Sequence, residues 1–347
     1  MSSSISSSEH PVTTGPAGFS WRQFGLRTVL ATAGLFIGVS LFLILFDPYD
    51  TGRLTWQRQT GIAATGPWAA NASRARNPAF NAAITGNSRM QMLEPAALDR
   101  LTGASFVNLV VQGTSWPEQT LILDRFIKNH PSPQGLVIGL DESWCEISPQ
   151  TKPFPEWLYA ASDRDYLRGL IRMKSLERVW PQFMYLLGLA KGSRPDGFDD
   201  YTAYYLAIGG EEAEALAKRL ALPRPVNSRN PENVFPAADR LEQSLKTVPE
   251  DASVILTWMP VFQTHLPEPG SAADKTIELC KARFSQIAQK RKATAIVDWQ
   301  IDRPENRDSA NYYDQIHYRR ALADLFTQDI GQAMISSGKA GSSDQAR

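Results

Sequence analysis

One stretch constrains this chain before any other. Thr28 to Phe46 carries no charge and is nearly all apolar, running through Val29, Leu30, Leu35, Phe36, Ile37 and Val39 into Leu41-Phe42-Leu43-Ile44-Leu45-Phe46. About 20 such residues make a helix that crosses a bilayer, since in hydrocarbon every backbone group must be satisfied within its own segment. A core helix would keep one polar face, and this segment has none. Arg22 and Arg27 precede it, while Asp47 and Asp50 follow. That asymmetry holds the N-terminus in the cytoplasm and sends the rest across the membrane. The competing reading is a cleaved signal peptide. Against it, the apolar run is long, and Phe46-Asp47-Pro48-Tyr49 offers no small-x-small cleavage pattern. The expectation is an uncleaved anchor over 27–46.

The Ser-rich residues 1–22 read as a disordered cytoplasmic tail, and 47–77 as a connector from the membrane. Residues 336–347 are polar and read as a loose end. Between them, 78–335 is long enough for one large core. The 347 residues carry a formal net charge of zero and no basic block, which gives no support for nucleic-acid binding. No cofactor motif is visible, and no Cys/His spacing resembles a zinc site. The two cysteines, Cys145 and Cys280, make no framework in a domain of this size. Separate buried thiols are favoured slightly over a disulfide.

Apolar runs alternate with helical spacing. Phe80–Thr85, Ser105–Val111, Gly135–Leu140, Ser253–Trp258 and Thr294–Trp299 read as buried strands. Helices are expected at 95–101, 118–129, 237–248, 271–290 and 318–335. Strand, helix, strand at this spacing implies right-handed βαβ units and a parallel sheet. Residues 150–235 break the rhythm, with helical stretches near 163–190 and 210–221. They read as an insertion over the sheet's active edge, rich in Trp157, Tyr159, Tyr166, Trp180, Tyr201, Tyr204 and Tyr205. Such aromatics stack on sugar rings, and more often simply build a core.

The first strand ends at Gly86-Asn87-Ser88-Arg89. A serine at a strand-to-helix turn holds its hydroxyl at the carboxyl end of the sheet, where open α/β sheets bind ligands. Its N–H sits unpaired at a helix start, ready for developing negative charge. The plainer reading makes Ser88 a helix N-cap. A serine nucleophile needs a base, usually histidine. Of four histidines, His10 lies in the tail and His130 between a helix end and prolines. His265 lies in a loop after a strand and stays open. His317 alone has a carboxylate three residues earlier, Asp314. That spacing brings a carboxylate to Nδ1 and leaves Nε2 for the serine.

Gly86-Asn87-Ser88, Gly113 after the second strand and Asp314-x-x-His317 before the last helix together resemble the SGNH/GDSL hydrolase superfamily over about 78–335. With the single anchor, "TGNSR", "VNLVVQG", "VIGLDES" and "YYDQIHYRRALADLF" are similar to bacterial membrane-anchored SGNH-like proteins, some of whose relatives O-acylate exported polysaccharides. The resemblance implies a flavodoxin-like three-layer α/β sandwich around a parallel sheet. It also implies Ser88, His317 and Asp314 as catalytic triad, with the Ser88 and Gly113 N–H groups in the oxyanion hole. The third oxyanion donor is an Asn in the family. Here Gly139-Leu140-Asp141-Glu142 stands in its place, and an ionised Asp141 repels an oxyanion. Asn108 and Ser143 are substitute donors, and Asp141 reads equally as a helix-start cap. The implied activity is a serine acylesterase or O-acyltransferase at the outer face of a bacterial inner membrane. Its substrate would be a cell-surface glycan, and a membrane-embedded partner would donate the acyl group. The alternative is a silent SGNH-like domain that binds polysaccharide or scaffolds an export complex.

Overall fold

The structure, a computed structural model, describes residues 20–54, 60–222 and 230–344. Most of the tail at 1–22 and the 223–229 part of the insertion lie outside the described residues. Helix α1 spans Trp21–Phe46, starting ahead of the expected residue 27, with the Ser20 hydroxyl accepting the Gln23 N–H. It is long and apolar enough to cross a membrane and stands almost wholly exposed.

The connector is held by its own carboxylates. Asp47 and Asp50 are buried and act as acceptors that fix the chain as it leaves α1. Asp47 takes the Thr51 hydroxyl and the Gly52 N–H. Asp50 takes the Ser73 hydroxyl, the Gly61 N–H and the Arg76 guanidinium, the last at 2.8 Å. Burial pushes the Asp50 carboxyl up, while Ser73 and Arg76 oppose that. Residues read as flanking charges are thus structural ligands of their own loop.

The chain continues through α2 (Pro67–Arg74), β1 (Ala82–Thr85), α3 (Pro95–Thr102), β2 (Phe106–Asn108), α4 (Trp116–Asn129) and β3 (Gly135–Leu140). The inserted region holds α5 (Glu156–Tyr159), α6 (Asp163–Leu170), α7 (Met173–Leu186), α8 (Thr202–Ala207) and α9 (Ala213–Leu220). Then come α10 (Pro236–Leu245), β4 (Ser253–Trp258), α11 (Ala272–Gln289), β5 (Thr294–Asp298), α12 (Pro304–Arg307) and α13 (Arg320–Asp344). Helix α13 runs on to Asp344 rather than ending near 335, so the expected loose end is helical through that residue.

All five strands are parallel, in the order β2-β1-β3-β4-β5. Alternation along each strand divides the core in two. Ala83, Leu136, Ile138, Val254 and Leu256 face one way, onto Phe126 of α4, Leu241 of α10 and Phe284 of α11. Ile84, Phe106, Val137 and Ile255 face the other, onto Leu98 of α3 and Leu322, Phe326 and Ile330 of α13. Helices therefore cover both faces of the sheet. β2 is shorter than the apolar run suggests. Beyond it the Asn108 side chain accepts the Val110 N–H, while the Leu109 and Val111 N–H groups still donate to the Ile84 and Gly86 carbonyls.

From β1 the chain moves outward to β2, then returns past β1 to β3. The order reverses between β1 and β3, and a doubly wound sheet opens its ligand crevice at that point, beyond the carboxyl ends of the strands. Gly86-Asn87-Ser88 leaves β1 there and Asp141-Glu142 leaves β3 there. The inserted region splits between two destinations. α5, α6 and α7 gather around the connector and the end of α1, while Tyr201, Tyr205 and Leu220 join the aromatic cluster of Tyr313 and Tyr318. Cys145 and Cys280 form a disulfide, against the slight preference for separate thiols. It ties the turn after β3 to α11, a contact made by folding across 135 residues of sequence.

Candidate active site

Gly86 adopts φ +149°, and a Cβ there would meet Met90 Cγ at 2.6 Å. Only glycine lets the chain turn so tightly over the next residues. The turn is a single 3₁₀ turn, Ser88–Met90, rather than the start of a helix, and its cap is Asn87 rather than Ser88. The Asn87 side-chain Oδ1 accepts the Arg89 N–H. The Ser88 side chain is thereby freed from capping.

Ser88 Oγ lies 2.8 Å from His317 Nε2. His317 Nδ1 lies 2.9 Å from Asp314 Oδ2. The Asp314–His317 segment is a tight turn before α13, closed by pairing of Tyr312 with Tyr318 and by the Tyr313 N–H donating to the His317 carbonyl. Asp314 Oδ1 accepts the N–H groups of Ile316 and His317, which orients the carboxylate. The Tyr205 hydroxyl donates to Oδ2 at 2.7 Å. Burial alone would raise the Asp314 carboxyl. His317 and the Tyr205 hydroxyl bond outweigh it and bring the carboxyl down to about 2. With Asp314 ionised, Nδ1 carries the proton and Nε2 presents its lone pair to Ser88. Tyr201 stands edge-on to the imidazole at 5.5 Å between ring centres.

Sequence spacing left His265 open as a base. It turns instead to the Glu142 carboxylate, Nε2 to Oε1 at 3.2 Å. Glu142 also takes the Arg89 guanidinium, at 3.2 and 2.5 Å, and the Gln300 amide at 2.5 Å. Burial disfavours the Glu142 charge, but Arg89 and His265 outweigh it and hold the carboxyl well below its usual range. Asp141 caps the 3₁₀ turn Glu142–Cys145 by accepting the Ser143 N–H at 2.8 Å. It also accepts the Asn87 amide, so the turns after β1 and β3 are pinned together. Burial raises the Asp141 carboxyl, opposed by Arg89.

Among the described residues, the N–H groups of Ser88 and Gly113 have no acceptor. Gly113 has φ +69°. Asn108 is spent elsewhere: its amide donates to the Met90 and Leu93 carbonyls, which removes it as a substitute donor. A cleft of about 370 Å³ opens beside the turn, lined by Asn87, Arg89, Gly113, Asp141, Ser143 and Gln300 among others. Four of the side-chain atoms around it are buried with no partner: Arg89 Nε, Ser143 Oγ, His265 Nδ1 and Gln300 Oε1. Among the described residues no group of His, Cys, Asp and Glu is placed to hold a metal ion.

The structure thus brings Ser88, His317 and Asp314 into one hydrogen-bonded line, with Gly113 and Asp141 at the neighbouring cleft. Sequence reasoning missed Tyr205 as a partner of Asp314, and the Arg89–Glu142–His265–Gln300 cluster. Nothing in their spacing marks them, since the hydrogen-bonded partners lie 53 to 158 positions apart along the chain. Comparison with protein-family models finds none that matches the chain, and comparison with curated proteins finds no match either.

Proposed function

We propose that this chain is a membrane-anchored serine acylesterase or O-acyltransferase of SGNH-like, flavodoxin-like fold, acting on a cell-surface glycan outside the cytoplasm. The observation that carries the reading is the line Ser88–His317–Asp314 at the point where the strand order reverses. Ser88 Oγ attacks an ester carbonyl and His317 Nε2 takes its proton. The carbonyl oxygen becomes an oxyanion facing the unpaired N–H groups of Ser88 and Gly113. As the intermediate collapses, His317 returns the proton to the leaving alcohol and the acyl group stays on Ser88. Water or a sugar hydroxyl then attacks the acyl-enzyme, giving its proton to His317, and Ser88 is released with its proton restored. Asp141 supports the turn by accepting from Asn87 and Ser143, a role that requires no oxyanion contact.

The cleft supports a hydroxyl-rich acceptor. It is lined by polar side chains, among them Asn87, Ser143, Glu142 and Gln300, and each sugar hydroxyl both donates and accepts. The Cys145–Cys280 disulfide supports an oxidising compartment, in keeping with the Arg22/Arg27 asymmetry ahead of α1. The test is intact mass after brief exposure to an activated acetyl ester, alongside fluorophosphonate labelling. The expected result is a single adduct on Ser88, absent in Ser88→Ala and cleared faster with oligosaccharide than in buffer. Clearance indifferent to sugar leaves an esterase. A Ser88 inert to both reagents in the folded protein overturns the reading in favour of a silent glycan-binding domain.

A further inference from the structure

Helix α7 is built inside out. Its buried positions are the polar Ser175 and Gln182, while Met173, Leu176, Trp180, Phe183 and Leu187 stand exposed along one side. The spacing of those five, 3-4-3-4, makes a continuous stripe. Met173 is 70% and Trp180 66% exposed, and a contiguous exposed apolar stripe marks an interaction surface. The polar inner face is committed to the connector. Gln182 accepts the Ala63 N–H and donates to the Gly61 carbonyl, and the Tyr185 hydroxyl donates to the Thr60 carbonyl.

The stripe's location says what covers it. α7 packs against α1. Val179 joins the cluster that buries Leu43, one turn before α1 ends. The helix that reads as a membrane span therefore delivers the domain with α7 beside the point of exit. The segment is basic: residues 172–191 contain Arg172, Lys174, Arg178 and Lys191 against the single acid Glu177. Arg172, Lys174 and Arg178 also line a groove of about 730 Å³ with Trp68, Phe154 and Trp157. An apolar stripe with aromatic and cationic margins, continuous with a bilayer span, matches an interfacial helix.

We propose that α7 is a second membrane contact, its stripe resting in the interfacial layer of the bilayer that α1 crosses and its cations facing anionic headgroups. The proposal rests on α1 spanning the bilayer and is independent of chemistry at Ser88. The experiment uses the full chain in lipid nanodiscs. Both native cysteines are in the disulfide, so Phe183→Cys, Leu187→Cys and, as reference, Ile37→Cys each take one bimane label. Quenching by doxyl-labelled lipid is then compared with quenching by aqueous iodide. Labels at 183 and 187 are expected to lose about half their fluorescence to a quencher placed at interfacial depth, roughly 5–10 Å below the surface, and little to iodide. Raising the anionic lipid fraction should increase that loss, and Lys174→Glu with Arg172→Glu should diminish it. If Ile37 is quenched by lipid while 183 and 187 answer only to iodide, α1 is an anchor and the proposal fails. If cysteines at 183 join between two copies and lipid quenching is absent, the stripe is a dimer face, and the proposal also fails. If Ile37 itself is not quenched by lipid, the anchor reading falls and the proposal with it.

Discussion

Two polar networks flank Ser88, and they are built to different ends. On one side, Asp314, His317 and Ser88 form a line running from the carboxylate through Nδ1 and Nε2 of one imidazole to the serine hydroxyl, next to the cleft. On the other, Glu142 is shared by Arg89, His265 and Gln300, and Asp141 by Asn87 and Ser143. The line has one proton path and an unspent end. The cluster has charges that neutralise each other, with the disulfide at Cys145 closing its turn. A line can move a proton, whereas a cluster knit around shared carboxylates holds a shape. Proximity to the cleft does not separate the two; the connectivity of their hydrogen bonds does.

The strongest test of that contrast lies at the open end of the line. Ser88→Ala should abolish fluorophosphonate labelling and cut ester hydrolysis about 10⁴-fold or more. His317→Ala and Asp314→Asn should each lower kcat about 10³–10⁴-fold at nearly unchanged KM, the second because the imidazole loses its orienting charge. Glu142→Gln, on the opposite side, should leave kcat within about threefold while costing about 3 kcal/mol of stability, since Arg89 is left buried and unpaired. If Glu142→Gln costs as much in kcat as Asp314→Asn, the division between the networks is wrong.

Reducing Cys145–Cys280 should lower the denaturation midpoint by an amount worth about 2–5 kcal/mol, because a long loop is released in the unfolded chain. Rate constants measured below the transition should change little, since the disulfide belongs to the shape-holding side. The pH dependence of stability sharpens the contrast further. Asp314 is held down to about 2 in the folded state, below its unfolded value. Its stabilisation is therefore fully present above about pH 4 and lost as pH falls toward 2. Asp314→Asn should remove about 2 kcal/mol of that acid dependence, read from urea midpoints between these pH values. The smallest effect is Tyr205→Phe. It deletes one hydrogen bond to Asp314 and should cost about 1 kcal/mol, a several-fold fall in kcat. Unchanged kcat there would make Tyr205 packing alone.

The sequence by itself determined the parallel α/β architecture. Continuous apolar runs at 135–140 and 253–258, bounded by turn residues, leave little choice but buried strands, and both match the structure end to end. The apolar stretch before Asp47 likewise specifies a helix long and apolar enough to cross a membrane. Ser88 and the Asp314–His317 pair were also legible, because a glycine turn after a strand and an i,i+3 carboxylate are local patterns. What tertiary structure decided were the long-range partners. His265 is equally available by sequence, and only its capture by Glu142 removes it from Ser88. Asp141 read equally as an oxyanion-site residue and as a helix-start cap; folding makes it the cap of the turn after β3 and sets it against Asn87. Asp47 and Asp50 looked like flanking charges, yet burial made them ligands of their own loop. The two cysteines looked unpaired until β3 and α11 brought their Cα atoms to 5.6 Å. Local spacing specifies which groups have a chemistry to offer. Which partner each one meets depends on which strands lie side by side, and strand order is a property of the packed chain.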